Sequence, residues 1–225
     1  MNNGPQHIGI IMDGNRRWAK KNGLKVILGH QKGIEALNDK ILDRAIERGV
    51  KILTLYAFST ENWNRIQEVP GMMKLFEKYA LKRKAELVEK GVQIRTMGDF
   101  ERLPESLKQA LTGLKEATQH NQQLIVNLCL SYDGRSEILK ACQRLKEQDL
   151  EINQANFQAQ LDSKDLADPE LIIRTSGEQR LSGFLTWQSV YSELYFTPTL
   201  WSDFNESELD KAIDWYLERN RRFGK

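Results

Sequence analysis

Apolar residues gather in six short runs along the chain, and the stretches between them repeat at helical spacing. Ile8 to Met12 reads as a buried strand that stops abruptly at Asp13-Gly14-Asn15-Arg16-Arg17. Similar runs at Ile52–Phe58, Val92–Met97, Leu124–Leu130, Leu171–Ile173 and Ser192–Thr197 predict five more strands. Trp18 to Lys21 begins a helix that Asn22-Gly23 stops, and Gly29-His30 opens a longer one through Arg48, ended by Gly49. From Val69 to Lys90, Met72, Met73, Leu75, Phe76, Tyr79, Ala80, Leu87 and Val88 recur at helical intervals, which predicts one long helix whose first reading is core. Further helices are predicted after Pro104, at Glu137–Gln148, at about Gln154–Leu161 and at about Glu206–Arg222. Strands alternating with helices predict an α/β domain spanning 1–225, with a mostly parallel six-stranded sheet flanked by helices on both faces.

Composition narrows the function. The formal net charge is only +2 over 225 residues, so no global field draws the chain to nucleic acid, and any anion site must be local. Cys129 in an apolar run and Cys142 in a helical pattern read as packed thiols of a reducing compartment, which makes the cytoplasm the expected location. The longest apolar runs fall far short of a membrane span, and the amino terminus lacks an apolar signal core. Any membrane contact is therefore expected to be peripheral.

The chemistry is concentrated at strand ends. Neither a Gly-x-Gly-x-x-Gly after a strand nor a Gly-x-x-x-x-Gly-Lys-Ser/Thr occurs, and the zinc helix His-Glu-x-x-His is missing. What remains is Asp13 at the exit of the first strand, where it either holds a divalent cation or caps the following helix. Two hydroxyl-rich, basic loops accompany it. Ser59-Thr60-Glu61-Asn62-Trp63-Asn64-Arg65 follows the second strand, and Arg174-Thr175-Ser176-Gly177-Glu178-Gln179-Arg180-Leu181-Ser182 follows the fifth. Two phosphorylated substrates meeting over one metal would use these parts.

Five ordered motifs then make the chain resemble the cis-prenyltransferase family, that is, undecaprenyl diphosphate synthase and its relatives. They are Ile-Met-Asp-Gly-Asn-Arg-Arg-Trp-Ala at 11–19, Gly-His at 29–30, Leu-Tyr-Ala-Phe-Ser-Thr-Glu-Asn-Trp-Asn-Arg at 55–65, Ile-Arg-Thr-Ser-Gly-Glu-Gln-Arg-Leu-Ser at 173–182 and Glu-Leu-Tyr-Phe at 193–196. The resemblance implies head-to-tail condensation of isopentenyl diphosphate with an allylic diphosphate such as farnesyl diphosphate, leaving a cis double bond. It implies Mg2+ positioned by Asp13, with Glu193 as a second metal-associated carboxylate, and Gly14, Asn15, Arg16, Arg17, Trp18 and His30 around the allylic diphosphate. Ser59, Glu61, Asn62, Trp63 and Arg65 would place the reacting ends, with Asn62 taking a catalytic part, and Arg174, Arg180 and Ser182 would hold isopentenyl diphosphate. The resemblance also implies a homodimer to which the Arg-Arg-Phe-Gly tail contributes, and an apolar tunnel that recasts the helix at 69–90 as tunnel wall, with the small Ala57 leaving room for a long product.

Four departures mark this chain. Val26 stands where an arginine is usual, beside Lys25; Ser131-Tyr132-Asp133-Gly134-Arg135 replaces Asn-Tyr-Gly-Gly-Arg; Gln179 and Gly183 replace His and Asn; and Asn-Arg-Ile-Gln-Glu at 64–68 lacks the usual proline and is one residue short. A rival reading is the non-catalytic subunit of a heteromeric enzyme, but such subunits lose the aspartate that Asp13 preserves. A haloacid-type phosphatase would need a second aspartate where Asn15 stands.

Overall fold

The structure is a computed structural model and describes residues 4–219. The Arg-Arg-Phe-Gly tail at 221–224 lies outside those residues.

Six parallel strands form one sheet in the order β3-β4-β2-β1-β5-β6, so the predicted sheet is found and every pairing within it is parallel. The strands are β1 (His7–Ile11), β2 (Ile52–Ser59), β3 (Val92–Met97), β4 (Leu124–Tyr132), β5 (Leu171–Arg174) and β6 (Glu193–Phe196). Burial on both faces is why β1 reads as a continuous apolar run rather than an alternating one. On one face Ile8, Ile10, Leu53 and Leu55 join the main core, and on the other Ile11, Cys129, Ile172, Phe184 and Leu185 form a smaller cluster.

Two long predicted helices are each broken. The stretch expected to be helical from Gly29 to Arg48 is α2 (Val26–Ala36) and α3 (Asp39–Glu47), following the short α1 (Asn15–Lys21). The break falls at Leu37-Asn38, where the Asn38 side chain accepts a hydrogen bond from Ile41 N at 3.2 Å and caps the new helix. The stretch from Val69 to Lys90 is α4 (Val69–Lys82) and α5 (Lys84–Glu89), separated at Arg83. The remaining helices are α6 (Glu105–Thr118), α7 (Gly134–Glu147), α8 (Gln154–Gln158) and α9 (Glu206–Leu217). Cys129 is buried, as expected, whereas Cys142 is exposed on α7, because the buried side of that helix is taken by Ala141 and Leu145 in a cluster with Phe157 and Leu161. Among the described residues no helix is long and apolar enough to cross a membrane.

One buried histidine couples this core to pH. His7 sits in β1 with Nδ1 2.5 Å from Ala167 O and Nε2 2.8 Å from Thr54 Oγ1. Burial pushes its pKa down to about 4, against a smaller upward pull from the Ala167 carbonyl. The unfolded chain therefore takes up a proton as pH falls below about 6.5 that the folded chain refuses until about 4. This contribution is complete above that window and is lost as pH falls through it, by about 3 kcal/mol. Urea unfolding at a series of pH values should show His7→Asn with a flatter dependence between these limits than the parent; equal slopes would refute the assignment.

Candidate active site

Because every strand is parallel, the exits of β1, β2, β4 and β5 open on one edge of the sheet. The strand order reverses direction at β1, with β2 on one side and β5 on the other, and ligands of open α/β sheets bind in the crevice at such a point. Asp13 and Arg174 meet there. Arg174 Nη2 donates to Asp13 Oδ2 at 3.0 Å, while Arg174 Nη1 donates to Ser182 Oγ at 2.9 Å and to Arg180 O at 2.5 Å. The Arg174 side chain is 5% exposed and that of Asp13 37%, so a locked cation presents a carboxylate to solvent. Asp13 does not cap α1, whose N-cap is Gly14 with no side-chain bond. Its carbonyl is fixed instead by Thr175 Oγ1 at 2.6 Å and Trp201 N at 3.0 Å. Gly14 is required at φ 113°, where an added Cβ would lie 2.9 Å from Leu200 Cδ2.

The other basic groups are tied in pairs by glutamates. Glu68 bridges Arg16 Nη2 at 3.3 Å and His30 Nε2 at 3.2 Å, and Glu178 bridges Arg180 Nη1 at 2.6 Å and Arg17 Nη2 at 3.8 Å. Burial lowers the His30 pKa, partly offset by Glu68, and the neighbouring Arg65 and Arg16 charges lower it further. Asp13, Arg16, Arg17, His30, Arg65, Arg174, Arg180 and Ser182 are thus gathered at one edge. Neither Glu68 nor Glu178 figured among the expected site residues. Glu178 stood in plain view between arginine and arginine, and Glu68 sat in the segment noted only for its missing residue.

Several expected site residues also make bonds that hold the fold together. The Asn15 Oδ1 accepts from Ser202 Oγ at 2.8 Å, and its side chain lies against Gly33, so it clamps α1 onto α2. A Cβ at Gly29 would sit 2.2 Å from Asn15 O, which is how closely the two helices approach. Trp18 Nε1 donates to Asp203 Oδ1 at 2.7 Å, so its polar edge serves the helix junction. Asn62 and Ser59 form a reciprocal cap on the short 3-10 helix Thr60–Asn64, with Asn62 Oδ1 accepting from Ser59 N at 3.1 Å, and Glu61 is exposed on the same turn. Trp63 Nε1 donates to Ser131 Oγ at 2.9 Å beneath the Arg102 guanidinium, 4.6 Å from its ring. Tyr56, not foreseen, links β2 to the Ser182 loop through hydrogen bonds to Tyr132 O at 3.2 Å and Ser182 O at 3.3 Å.

Glu193 does not join Asp13 within the chain. It opens β6 opposite Leu171, whereas Asp13 follows the other end of the register, where Ile11 pairs with Arg174 and Arg174 with Phe196. Three residues of strand, about 10 Å, separate the two levels. Two of the sequence departures, by contrast, fit each other. Asp133 caps α7 by accepting from Ser136 N at 2.9 Å, and a Cβ at Gly183 would come within 2.5 Å of Asp133 Oδ1. The extra carboxylate thus occupies space that a side chain at 183 would need. Val26 opens α2, and its neighbour Lys25 is exposed.

From the Asp13 edge an apolar tunnel of about 140 Å³ runs between the sheet and α2, α4 and α6. Met12, Asn15 and His30 stand where it meets the polar site, Ala57, Leu55 and Leu128 line its sheet side, and Met72, Phe76 and Tyr79 its helical side. The α4 stretch is therefore tunnel wall as well as core.

A family model described as "Putative undecaprenyl diphosphate synthase" matches residues 11–224. The chain belongs to this undecaprenyl diphosphate synthase family. Within the synthase family it is 47% identical to the isoprenyl transferase of Fusobacterium nucleatum over 98% of this chain and 96% of that one. Identity to the isoprenyl transferase of Aquifex pyrophilus is 44%, with the same shares covered. The fold is similar to the crystal structure of lavandulyl diphosphate synthase from Lavandula x intermedia in complex with dimethylallyl diphosphate, with a TM-score of 0.94, 37% identity and 99% of each chain covered. A probable undecaprenyl diphosphate synthase from Campylobacter jejuni gives a TM-score of 0.85 at 32% identity, covering 99% of this chain and 100% of that one. This chain is thus a member of a prenyltransferase family of enzymes.

Proposed function

We propose that the protein condenses isopentenyl diphosphate with an allylic diphosphate, farnesyl diphosphate being the expected primer, to a cis-polyprenyl diphosphate of the lipid-carrier type. The observation that carries this reading is the Asp13–Arg174 pair at the mouth of an apolar tunnel. The polar edge suits diphosphates and the tunnel suits a prenyl tail, and the lavender enzyme, whose structure holds dimethylallyl diphosphate, supports an allylic diphosphate as ligand.

Asp13 fits a Mg2+ site. Among the described residues its Oδ1 takes no hydrogen bond and no group of three His, Cys, Asp or Glu side chains forms a cage, which is the donor set of a magnesium held by one carboxylate plus substrate phosphates. When bound, Mg2+ neutralises charge on a departing diphosphate. Arg16, Arg17 and His30 hold the allylic diphosphate, displacing Glu68 and Glu178 from their present pairings. Arg174, Arg180 and Ser182 hold isopentenyl diphosphate, and Arg174 Nε and Ser176 Oγ, buried without partners among the described residues, are further donors at that strand end. Asn62, Trp63 and Arg65 orient the double bond toward the allylic carbon. The allylic carbon–oxygen bond breaks as the new carbon–carbon bond forms, and a proton leaves the former isopentenyl unit. Donors already fixed around the oxygens lower the cost of that charge separation.

A homodimer belongs to the same reading, and the edge strand β6, with Val190 and Tyr191 each 72% exposed beside it, offers apolar surface for one. So do a cytoplasmic location and peripheral contact with a membrane during release of an apolar product. The deciding assay is incorporation of labelled isopentenyl diphosphate into butanol-extractable product with farnesyl diphosphate and Mg2+. Extractable cis product is the expected result, and a folded protein inactive with several primers would favour a non-catalytic subunit. In the same assay Ala57→Leu should shift most of the product to shorter chains with little loss of first-step turnover, because Ala57 lines the tunnel beyond the reacting ends. An unchanged length distribution would remove Ala57 from the wall that matters.

A further inference from the structure

A charged residue lines the apolar tunnel. Arg83, at the break between α4 and α5, reaches both the tunnel and an outer cleft of about 330 Å³, and Ile34, Leu37 and Tyr79 do the same. At this point the tunnel wall is one layer of side chains thick. The guanidinium is committed to the outer side: it donates to Leu37 O, to Glu86, and to Asp39 Oδ1 at 2.8 Å, and all three partners line the outer cleft. Its methylene stem is then the part the tunnel meets. Leu37 is the residue at which α2 ends, so the fan of bonds from Arg83 ties one helix break to the other. A second clasp stands beside it, Tyr79 OH donating to Glu35 Oε1 at 2.7 Å.

We propose that Arg83 is a specificity-determining residue that latches a side exit of the tunnel between the α2–α3 and α4–α5 breaks, setting the longest chain held wholly inside. The proposal rests on the prenyl-transfer reading of the tunnel. A tail that outgrows the room between the sheet and α2, α4 and α6 must push a wall outward, because the side chains that bound the tunnel are otherwise packed. Packed interiors yield at breaks in secondary structure sooner than within helices, and this wall has a break on each side. Polar clasps suit that position because they reform in water once the tail has gone, whereas an interdigitated apolar wall would have to be repacked.

Two measurements test this, one of which needs no turnover. Calorimetric binding of n-alkyl diphosphates from decyl to octadecyl should show affinity rising with chain length and then levelling off in the parent protein. Arg83→Ala should move that plateau to longer chains and lengthen the prenyl product, while Arg83→Lys, which keeps the charge and part of the bonding, should stay close to the parent. Identical plateaus and products for Arg83→Ala and the parent would overturn the proposal. If Arg83→Ala does not fold, Asp39→Asn and Glu86→Gln loosen the latch from the outer side, and hydrogen exchange at the Leu37 and Arg83 breaks should quicken about tenfold; unchanged exchange would likewise overturn it. A parent that binds alkyl diphosphates with such a plateau and transfers no prenyl group would refute the proposed function and leave Arg83 to be judged by the plateau alone.

Discussion

On the proposed reaction, Asp13→Ala is expected to cut prenyl transfer by about a thousandfold or more while the protein remains folded, because it would remove the carboxylate proposed to carry Mg2+ among the diphosphate donors. The substitution also leaves the nearly buried Arg174 without its anion. A buried pair broken on one side costs about 3–5 kcal/mol, but Asp13 is more than a third exposed and water screens much of this loss. The measurable consequence is a modest fall in Tm beside a collapse in kcat. Asp13→Asn separates the two effects: it keeps an oxygen for Arg174 Nη2 and should hold Tm near the parent value, yet remain nearly as inactive. Activity within tenfold of the parent in either variant would take Asp13 out of the reaction.

Trp201→Ala should have the largest effect on stability, about 3–5 kcal/mol by urea unfolding, through the cavity it leaves. Trp201 is 1% exposed, stacks on Phe204 with ring centroids 5.2 Å apart and donates Nε1 to Gly33 O at 2.6 Å. Its backbone amide meanwhile holds the Asp13 carbonyl. One residue thus joins α2, the tunnel wall and the loop that carries the carboxylate. Trp201→Phe keeps most of the volume and loses the indole hydrogen bond, which should cost about 1–2 kcal/mol. A loss under 1 kcal/mol for the alanine variant would mean that the junction relaxes around the gap.

The strands were legible because each is an apolar run bounded by turn residues, and a parallel sheet buries both of its faces. Helix breaks were not, because Leu37 and Arg83 fall in stretches whose helical spacing continues across the break; only the asparagine at 38 carried a capping signal. Ionic residues of the site could be placed on strand exits, and the fold does bring Asp13 and Arg174 together. Side-chain direction was beyond the sequence: Asn15 and Trp18 share a motif with Asp13, yet the helix they start turns them toward α2 and the 201–203 turn. That Glu193 stands apart from Asp13 within the chain follows from its place in its strand. It precedes Leu194-Tyr195-Phe196, and the first residue of a parallel strand lies on the edge opposite to the one where Asp13 emerges.

The two bridging glutamates change how the site meets salt. Arg16, Arg17 and Arg180 are already partnered by protein carboxylates, so a diphosphate arriving as proposed would exchange one anion for another and free few condensed counterions from solution. Affinity for the diphosphate should then fall only gently as ionic strength rises, more gently than the number of basic side chains suggests. On the proposed reaction, each of these arginines would have a carboxylate within reach when inorganic diphosphate departs, and the emptied edge would close without waiting for ions from bulk water.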